Sequence, residues 1–213
     1  MKDIAIYGAG GFGREVACLI HRINEISPEW ELIGFFDDGI IKGAKNEYGE
    51  VLGGINEVNN YPDDLAVVIA IASPKIVEKL VGNIASSKIS FPNIISPDVT
   101  FLDKNNISVG KGNIISFHCV ISCNVRIGDF NIFNGLVNVG HDAILGNYNS
   151  IMPAVKISGE VKIGNRNFLG VNSVVLQQVK IGNDTVIGAN SLILRKTKDG
   201  MTYVGNPASI IKY

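Results

Sequence analysis

The chain has 213 residues, enough for one large domain or two small ones, and 46% of them are hydrophobic. Only 18% are charged and the formal net charge is −1, so the overall charge excludes attraction to nucleic acid or to an anionic membrane. We do not expect the amino terminus to act as a secretion signal, because its apolar run is short and ends in glycines. No stretch approaches the roughly 18–20 apolar residues of a membrane span. An odd number of cysteines without a CxxC pair predicts reduced thiols in a cytoplasmic protein.

The first predicted elements are a strand, a glycine-rich turn and a helix. Residues 3–7 (DIAIY) form the apolar strand, and the turn GAGGFG places glycines at positions 8, 10 and 13 in GxGxxG spacing. The following segment, REVACLIHRI, has apolar residues on one helical face. In this context the spacing predicts a turn whose backbone approaches a ligand at the start of a helix.

The head continues with further alternating strands and helices. They are a second strand that ends in Asp37 and Asp38, a third strand over 66–73, a helix near 75–86 and a short strand near 88–91. At about 95 residues the head is too short for two complete mononucleotide-binding halves. An NAD site and a tight turn without a ligand both remain open, but a Rossmann-like head that binds another nucleotide-linked molecule fits best.

A strict period of six begins after the proline-containing segment 91–99. Every sixth residue is large and apolar for fifteen steps, and a glycine often follows. The apolar positions are Val109, Ile115, Ile121, Ile127, Phe133, Val139, Leu145, Ile151, Ile157, Ile163, Leu169, Val175, Ile181, Ile187 and Ile193. This period predicts a parallel β-helix in which three hexapeptides form one triangular coil of 18 residues. The apolar ladder would point inward, and glycines and asparagines would turn the corners, where positive φ or side-chain-to-backbone bonds are needed.

The sequence resembles a family of hexapeptide-repeat acyltransferases. The segments GAGGFGRE, FFDD, IAIAS, KIGNRNFLGVNS and VGNPA, with a histidine in the third coil, are similar to the sialic acid O-acetyltransferase family. That family includes acetyltransferases that act on UDP-4-amino-sugars and GDP-perosamine. The resemblance implies that the β-helix is left-handed. We therefore predict a Rossmann-like nucleotide-sugar-binding domain over 1–95 and a left-handed β-helix acetyltransferase domain with a short tail over 96–213.

His141 and Asp142 are the predicted catalytic residues. His141 comes two residues after the inward-pointing Val139, so its ring should lie outside the ladder. The resemblance implies that His141 is the general base and that Asp142 raises its basicity. An imidazole can accept the proton of an amine or hydroxyl that attacks a thioester. Whether the two side chains touch cannot be settled from sequence, because neighbouring strand side chains usually diverge.

The resemblance also implies contacts to both substrates. Sugar-nucleotide contacts fall on Gly10, Gly11, Phe12, Asp37, Asp38 and Ala72, with Asn134 in the active site. Acetyl-CoA contacts fall on Gly159, whose N–H would meet the thioester carbonyl, and on Val171 and Ala189. Ser150 is also assigned to acetyl-CoA, through a hydrogen bond from its hydroxyl, although it departs from the family because some relatives have a second histidine there. The family further implies a homotrimer with acetyl-CoA in the groove between neighbouring β-helices.

The resemblance implies acetyl-CoA-dependent N-acetylation of a nucleotide-linked 4-amino-sugar for surface-glycan synthesis, and Asp37 and Asp38 behind the glycine turn suit such a nucleotide-sugar. The alternatives are an O-acetyltransferase for sialic acid or another sugar, and a non-enzymatic β-helical scaffold with a ligand-sensing head. No metal is expected, because a β-helix carbonic anhydrase would need three histidine ligands and this β-helix contains only His118 and His141. Neither the nucleotide nor the sugar can be identified from the sequence.

Overall fold

The computed structural model describes residues 1–211. The chain divides into two compact units, a head over Met1–Pro97 and a second unit that begins at Asp98. Within the described residues no helix is both long enough and apolar enough to cross a bilayer.

The head alternates strands with helices. Its elements are β1 (Lys2–Tyr7), α1 (Gly11–Ile26), β2 (Trp30–Phe36), β3 (Lys45–Asn46), β4 (Gly49–Gly53), α2 (Ile55–Asn59), β5 (Leu65–Ile69), α3 (Pro74–Asn83), β6 (Ile89–Ser90) and β7 (Ile94–Ile95). The sheet order is β3-β4-β2-β1-β5-β6, and all pairs are parallel except β3 with β4. The order reverses direction between β1 and β5. Ligands of open α/β sheets bind at such a switch point, beyond the carboxyl ends of the strands.

Two glycines of the turn after β1 permit close packing. Gly8 has φ +111°, and a Cβ there would lie 2.7 Å from the Ala70 carbonyl oxygen. A Cβ on Gly13 would overlap the Gly8 carbonyl oxygen, so α1 begins directly against the turn. Helix α1 then buries its apolar face, as its periodicity predicts, through Val16 and Ile20 among others.

The head differs from the predicted elements in one region and at three element ends. The hairpin of β3 and β4, followed by α2, was not predicted, because these elements are short and half-exposed. The third predicted strand ends at Ile69 rather than at residue 73, and the helix predicted near 75–86 is Pro74–Asn83. Pro74 explains the early start, because proline is favoured in the first turn of a helix.

The second unit is a parallel β-helix made of two-residue strands on three faces. Face 1 consists of β9 (Ser108–Val109), β12 (Arg126–Ile127), β15 (Ile144–Leu145), β18 (Lys162–Ile163) and β21 (Lys180–Ile181). Face 2 contains β10 (Ile114–Ile115), β13 (Ile132–Phe133), β16 (Ser150–Ile151), β19 (Phe168–Leu169) and β22 (Val186–Ile187), extended by β24 (Thr202–Gly205) and the antiparallel β25 (Ala208–Ile211). Face 3 consists of β8 (Thr100–Phe101), β11 (Val120–Ile121), β14 (Asn138–Val139), β17 (Lys156–Ile157), β20 (Val174–Val175) and β23 (Leu192–Ile193), and a 3₁₀ turn covers Lys104–Asn106.

The predicted apolar ladder is confirmed at fourteen of its fifteen positions, which are all buried. Val109 is the exception and is half-buried. It lies on β9, which pairs with β12 and is the edge strand of face 1 in the described part of the chain. Between β9 and β23 pairing runs at a spacing of 18 residues, as with Asn138 opposite Lys156. The spacing differs at the two ends, where Thr100 pairs with Val120 and Val186 pairs with Thr202.

A second column of side chains also points inward, which the period of six alone does not indicate. At the corner between faces 1 and 2 it is a ladder of fully buried asparagines. In the ladder Asn149 Nδ2 donates to Asn131 Oδ1 at 2.9 Å, and Asn149 Oδ1 accepts from the backbone N–H of Asn167 at 3.0 Å. The ladder therefore satisfies buried backbone groups where the chain turns.

The expected role of the glycines was wrong except at Gly112, which has φ +67°, whereas the expected asparagines do turn corners, at Asn124, Asn172 and Asn190. In all, thirteen non-glycine residues, spaced by six from His118 to Asn190, hold the other positive-φ corner positions. The glycines that follow the ladder residues of face 1 instead allow neighbouring coils to approach. A Cβ on Gly128 would lie 2.6 Å from the Gly146 carbonyl oxygen, and a Cβ on Gly146 would lie 2.7 Å from that of Gly164.

The positive-φ residues define three corners, numbered in chain order. Corner 1 joins faces 1 and 2, corner 2 joins faces 2 and 3, and corner 3 joins faces 3 and 1. Corner 1 contains Gly112, Phe130, Tyr148, Arg166 and Asp184; corner 2 contains His118, Leu136, Ala154, Asn172 and Asn190; corner 3 contains Asn124, Asp142, Glu160 and Gln178.

Candidate active site

His141 lies at corner 3, directly after the face-3 strand that contains Val139. Its side chain is 48% exposed, as expected for a position outside the ladder. The next residue, Asp142, has φ +59° and turns the chain. His141 Nδ1 lies 2.8 Å from Asp142 Oδ2, so the two adjacent side chains form a hydrogen-bonded pair. This contact was left open by the sequence.

Asp142 is held as a carboxylate by two neighbours. The hydrogen bond from His141 is the main cause that lowers the pKa of Asp142, and Asn124 Nδ2, which donates to Asp142 Oδ1 at 3.2 Å, lowers it further. An ionised Asp142 can only accept a hydrogen bond, so His141 Nδ1–H donates to it and Nε2 is left as the nitrogen with a free lone pair. The arrangement is therefore suited to proton acceptance at Nε2.

The His141 ring lies over Gly159, its equivalent one coil later. A Cβ on Gly159 would lie 2.5 Å from His141 Nε2 and 2.7 Å from Cε1, so only glycine accommodates this ring position. Gly140 has a related role, because a Cβ there would lie 2.5 Å from the Gly159 backbone nitrogen. The two glycines thus form a notch in which a basic nitrogen and a backbone amide lie side by side.

Three backbone amides at the predicted acetyl-CoA positions are available to a ligand. Within residues 1–211, the N–H groups of Gly159, Val171 and Ala189 donate to no acceptor. Equivalent amides at corner 1 are satisfied by side chains of the next coil, as when Asn147 N–H donates to Asn165 Oδ1. Across residues 1–211, corners 2 and 3 have no side chain that accepts from their outermost amides, so these amides can bind carbonyl groups of a ligand.

The other predicted residues of the β-helix lie away from His141 within one chain. Asn134, Val171 and Ala189 are at corner 2, so the width of face 3 separates them from His141 at corner 3. Val171 and Ala189 are both exposed and occupy adjacent coils. Asn134 is half-buried, and its carbonyl oxygen accepts a hydrogen bond from Cys119 Sγ at 3.1 Å. Burial raises the pKa of the Cys119 thiol to about 11, so it stays protonated near neutral pH.

The expected contact between Ser150 and acetyl-CoA does not fit the structure. Ser150 is the outward residue of its face-2 strand, but only 1% of its surface is exposed. A ligand on the outside of the β-helix cannot reach its hydroxyl. This position therefore differs in accessibility, as well as in residue type, from a histidine that contacts a coenzyme.

In the head, the predicted residues gather at the carboxyl edge of the sheet. Gly10 and Gly11 are exposed at the start of α1, and a Cβ on either would meet no atom within 4 Å. Phe12 is half-buried, and Ala72 is exposed in the segment after β5. These residues come from both sides of the switch point between β1 and β5.

Asp37 and Asp38 already have partners within the head. Asp37 Oδ2 accepts from the Ala9 N–H at 2.9 Å, so this carboxylate helps to fix the glycine turn. Asp38 accepts from the Tyr7 hydroxyl at 2.6 Å and from the Ile55 N–H at 2.9 Å. Burial, with the Asp38 contact, raises the pKa of Tyr7 above its usual range, so Tyr7 remains a donor.

Sequence reasoning missed three residues that shape these sites. Asn124 donates to Asp142. It comes 18 residues before Asp142, so the coil length of 18 could have identified it as a neighbour. Gly140 precedes His141 directly, but its packing role depends on the coil above. Tyr7 looked like an ordinary strand residue.

Comparisons with known proteins agree with this geometry. Residues 3–84 match the PglD N-terminal domain, and residues 160–195 match the bacterial transferase hexapeptide, six repeats. The acetyltransferase domain of PglB from Neisseria gonorrhoeae FA1090 in complex with acetyl coenzyme A is 27% identical with a TM-score of 0.88, and the match covers 99% of each chain. PerB from Caulobacter crescentus in complex with CoA and GDP-perosamine is 26% identical with a TM-score of 0.90, covering 100% of this chain and 98% of that one.

A third structure, WeeI from Acinetobacter baumannii AYE, is 28% identical with a TM-score of 0.87, covering 99% of this chain and 100% of that one. A search of curated protein sequences gave no significant match. The head and the hexapeptides thus match in one chain, along its whole length. The chain is therefore an acetyltransferase built on hexapeptide repeats, and its head is similar to the PglD N-terminal domain.

The predicted fold class, including the left-handed β-helix, is confirmed, and the PglB domain and PerB structures contain acetyl coenzyme A and CoA, respectively. The alternative of a non-enzymatic scaffold is wrong. Among residues 1–211, no group of three or more His, Cys, Asp or Glu side chains is placed to hold a metal ion.

Proposed function

We propose that this acetyltransferase moves the acetyl group of acetyl-CoA to the 4-amino group of a nucleotide-linked sugar, with His141 as the general base. The observation that carries the proposal is the notch at corner 3, where the Asp142-bonded imidazole lies against Gly159. The PerB structure, which contains CoA and GDP-perosamine, supports an amino-sugar nucleotide as the acceptor.

In the proposed reaction the sugar amine attacks the thioester carbonyl carbon. A carbon–nitrogen bond forms, His141 Nε2 takes a proton from the amine, and the carbonyl oxygen becomes an oxyanion. The carbon–sulfur bond then breaks, the coenzyme leaves as a thiolate, and the imidazolium returns the proton to sulfur. Asp142 stabilises the imidazolium between these two transfers.

The Gly159 N–H is the proposed donor to the oxyanion. It is unpaired within the described residues and adjoins the base. A fixed amide stabilises developing charge without reorganisation, and removing one donor of this kind typically costs about 10²–10³ in rate. In this proposal His141 acts on the attacking amine, and the Gly159 N–H acts on the carbonyl oxygen of the thioester that the amine attacks.

The head is proposed to bind the nucleotide at its switch point. The open turn of Gly10, Gly11 and Phe12 provides space beside the amino end of α1, which favours phosphate. Asp37 and Asp38 retain lone pairs beyond their internal bonds and can accept hydrogen bonds from a base or ribose. Ala72 borders the same edge of the sheet.

A homotrimer is proposed because the β-helix exposes apolar side chains around face 3. At least two-fifths of each of these side chains is exposed: Phe117, Leu136, Val171, Leu176 and Leu194. An apolar surface of this kind marks an interface. In a closed ring of three, corner 2 of one subunit would meet corner 3 of the next, so Asn134, Val171 and Ala189 would complete the site at His141. Sedimentation should then give three times the monomer mass.

The same proposal assigns the enzyme to cytoplasmic synthesis of surface glycans. Its three cysteines are unpaired, as a reducing compartment favours.

The decisive experiment is an acetylation assay over a panel of acceptors. UDP-, dTDP- and GDP-linked 4-amino-sugars are compared with their 4-hydroxy counterparts and with sialic acid, and release of the CoA thiol is followed. We expect turnover only with an amino acceptor and strong preference for one nucleotide. Turnover of sialic acid with none of the amino-sugars would support the O-acetyltransferase alternative.

A further inference from the structure

Face 1 of the β-helix, beside His141, carries a column of cations. Its outward residues in successive coils are Arg126, Ile144, Lys162 and Lys180, all exposed. The outward positions of the other two faces are mainly apolar, and Lys156 on face 3 donates to the Leu136 carbonyl oxygen. Positive charge is therefore concentrated on one flat face.

This column, which we call the cationic strip (Arg126, Lys162 and Lys180), lacks carboxylate partners within residues 1–211. Two acidic residues border it, but both are engaged elsewhere. Asp142 is paired with His141, and Glu160 accepts from Gln177 Nε2 and Gln178 Nε2, each at 3.1 Å. The strip therefore presents charge that its own neighbours do not pair with.

The strip and the catalytic corner line one open groove. Asp142, Lys162 and Lys180 all contribute to its wall, so a ligand seated at corner 3 can extend over face 1 without leaving the surface. More cations follow toward the end of the β-helix, because Thr197 N–H donates to the Lys180 carbonyl oxygen and Lys196 and Lys198 flank Thr197.

The spacing along this groove matches one of the two substrates. Lys180 lies two coils along the β-helix axis and three residues around the coil from His141. At 4.8 Å per coil and 3.3 Å per residue, these two perpendicular displacements place Lys180 roughly 14 Å from His141. The pantetheine arm, which separates the reacting sulfur of acetyl-CoA from its first phosphate, spans roughly the length of four extended residues, about 14 Å. A thioester placed at His141 thus puts phosphate beside the lysines.

We infer that Lys162 and Lys180, with Arg126 behind them, bind the diphosphate of the nucleotide portion of acetyl-CoA. This inference rests on the proposed function only in placing the thioester at His141. Lysine is suited to the task because its ammonium group pairs with phosphate as a point charge. The nucleotide-sugar also carries a diphosphate, so the test separates the two sources.

The test compares Lys162→Ala, Lys180→Ala and the double variant with the wild type. Binding of CoA is measured by calorimetry, and KM is measured separately for acetyl-CoA, for the nucleotide-sugar and for acetyl-pantetheine, which lacks the nucleotide phosphates. We expect each single variant to weaken CoA binding and raise the acetyl-CoA KM roughly tenfold, as for loss of a hydrogen bond to a charged group. The kcat at saturation should not change, because only uniform binding is lost.

Three controls make the result specific. Lys162→Arg should retain CoA affinity, Lys111→Ala, exposed beside corner 1, should change nothing, and acetyl-pantetheine should be used equally well by every variant. Unchanged CoA affinity in the double variant, or a rise in the nucleotide-sugar KM in place of the acetyl-CoA KM, would overturn the inference. If no amino-sugar were acetylated but CoA binding still depended on the lysines, the proposed function would fail and the inference would stand.

Discussion

The imidazole of His141 occupies the space that a side chain on Gly159 would fill, with Nε2 only 2.5 Å from the position of the missing Cβ. Other residues in the same column are larger, for example Cys123 and Gln177. A glycine is therefore required at this coil by the ring that rests on it, and the relationship leads to a direct test.

Gly159→Ala should displace the imidazole and lower kcat by at least about tenfold, since small misplacements of reacting groups are costly. The matched control is Gly146→Ala, where a methyl would press on the Gly164 carbonyl oxygen at corner 1. That variant should lose about 1–3 kcal/mol of stability, as overpacked sites do, yet keep its kcat. Thermal unfolding and steady-state kinetics measure the two effects. Equal kcat values for the two variants would contradict the positioning role.

His141→Ala should lower kcat by about 10²–10⁴-fold, the usual contribution of a general base. Because half of the side chain is exposed, circular dichroism and oligomer mass should stay the same. His118→Ala is the control, since His118 is also an exposed corner histidine of the β-helix. Near-full turnover by His141→Ala on every acceptor would remove the base assignment.

Asp142→Asn should cost less than loss of the ring, about tenfold in kcat, because the neutral amide cannot stabilise the imidazolium that forms during the reaction. The pKa of the Asp142 carboxyl is held low by His141 and Asn124, so the carboxylate stays ionised and its advantage over asparagine should persist until the pH falls toward that lowered pKa. Steady-state kinetics over a range of pH measures the difference. Equal kcat values for the variant and the wild type at neutral pH would mean that Asp142 only orients the ring.

Gly11→Asp should change binding and stability in opposite directions. The site is open, so the side chain fits, and a carboxylate in the first turn of α1 should stabilise the helix by about 0.3–1 kcal/mol. The same charge should repel a nucleotide phosphate and raise the KM for the nucleotide-sugar while leaving that for acetyl-CoA unchanged. A raised acetyl-CoA KM would argue against nucleotide binding at this turn.

Asn149→Ala should destabilise the β-helix by about 2–4 kcal/mol, because the buried backbone and side-chain N–H groups of Asn167 lose their acceptor. Asn147→Ala, on the outer side of the same corner, should cost less because water can replace its bond to the Asp129 N–H. Chemical denaturation compares the two. Equal losses in the free energy of unfolding would mean that the buried asparagine ladder stabilises the fold no more than the outer bonds do.

The repeating part of the fold was predictable because one physical requirement recurs at every sixth residue. Ile121, Ile157 and Ile187 are buried as the period demands. The corners were not predictable in the same way. Their positive-φ residues include Phe130, Leu136 and Gln178, types with no preference for that conformation, so the shape of the coil imposes it on the local sequence.

The candidate site was predictable only in part for the same reason. The position of His141 outside the ladder followed from counting, whereas its contact with Asp142 depends on the corner conformation at Asp142 itself. In the head, the hairpin Lys45–Gly53 lacks a long apolar pattern. The internal partners of Asp37 and Asp38 come from residues distant in sequence and could not be foreseen.

The asparagine ladder also constrains how proteins of this architecture can change in length. Each rung bonds to the residue 18 positions away, so an insertion or deletion of any other size within the coils would bring an asparagine opposite an apolar neighbour. Gain or loss of one whole turn would preserve every pairing. Evolution can therefore lengthen or shorten the groove in steps of about 4.8 Å, and a descendant with one more turn could accommodate a longer donor without redesigning its catalytic corner.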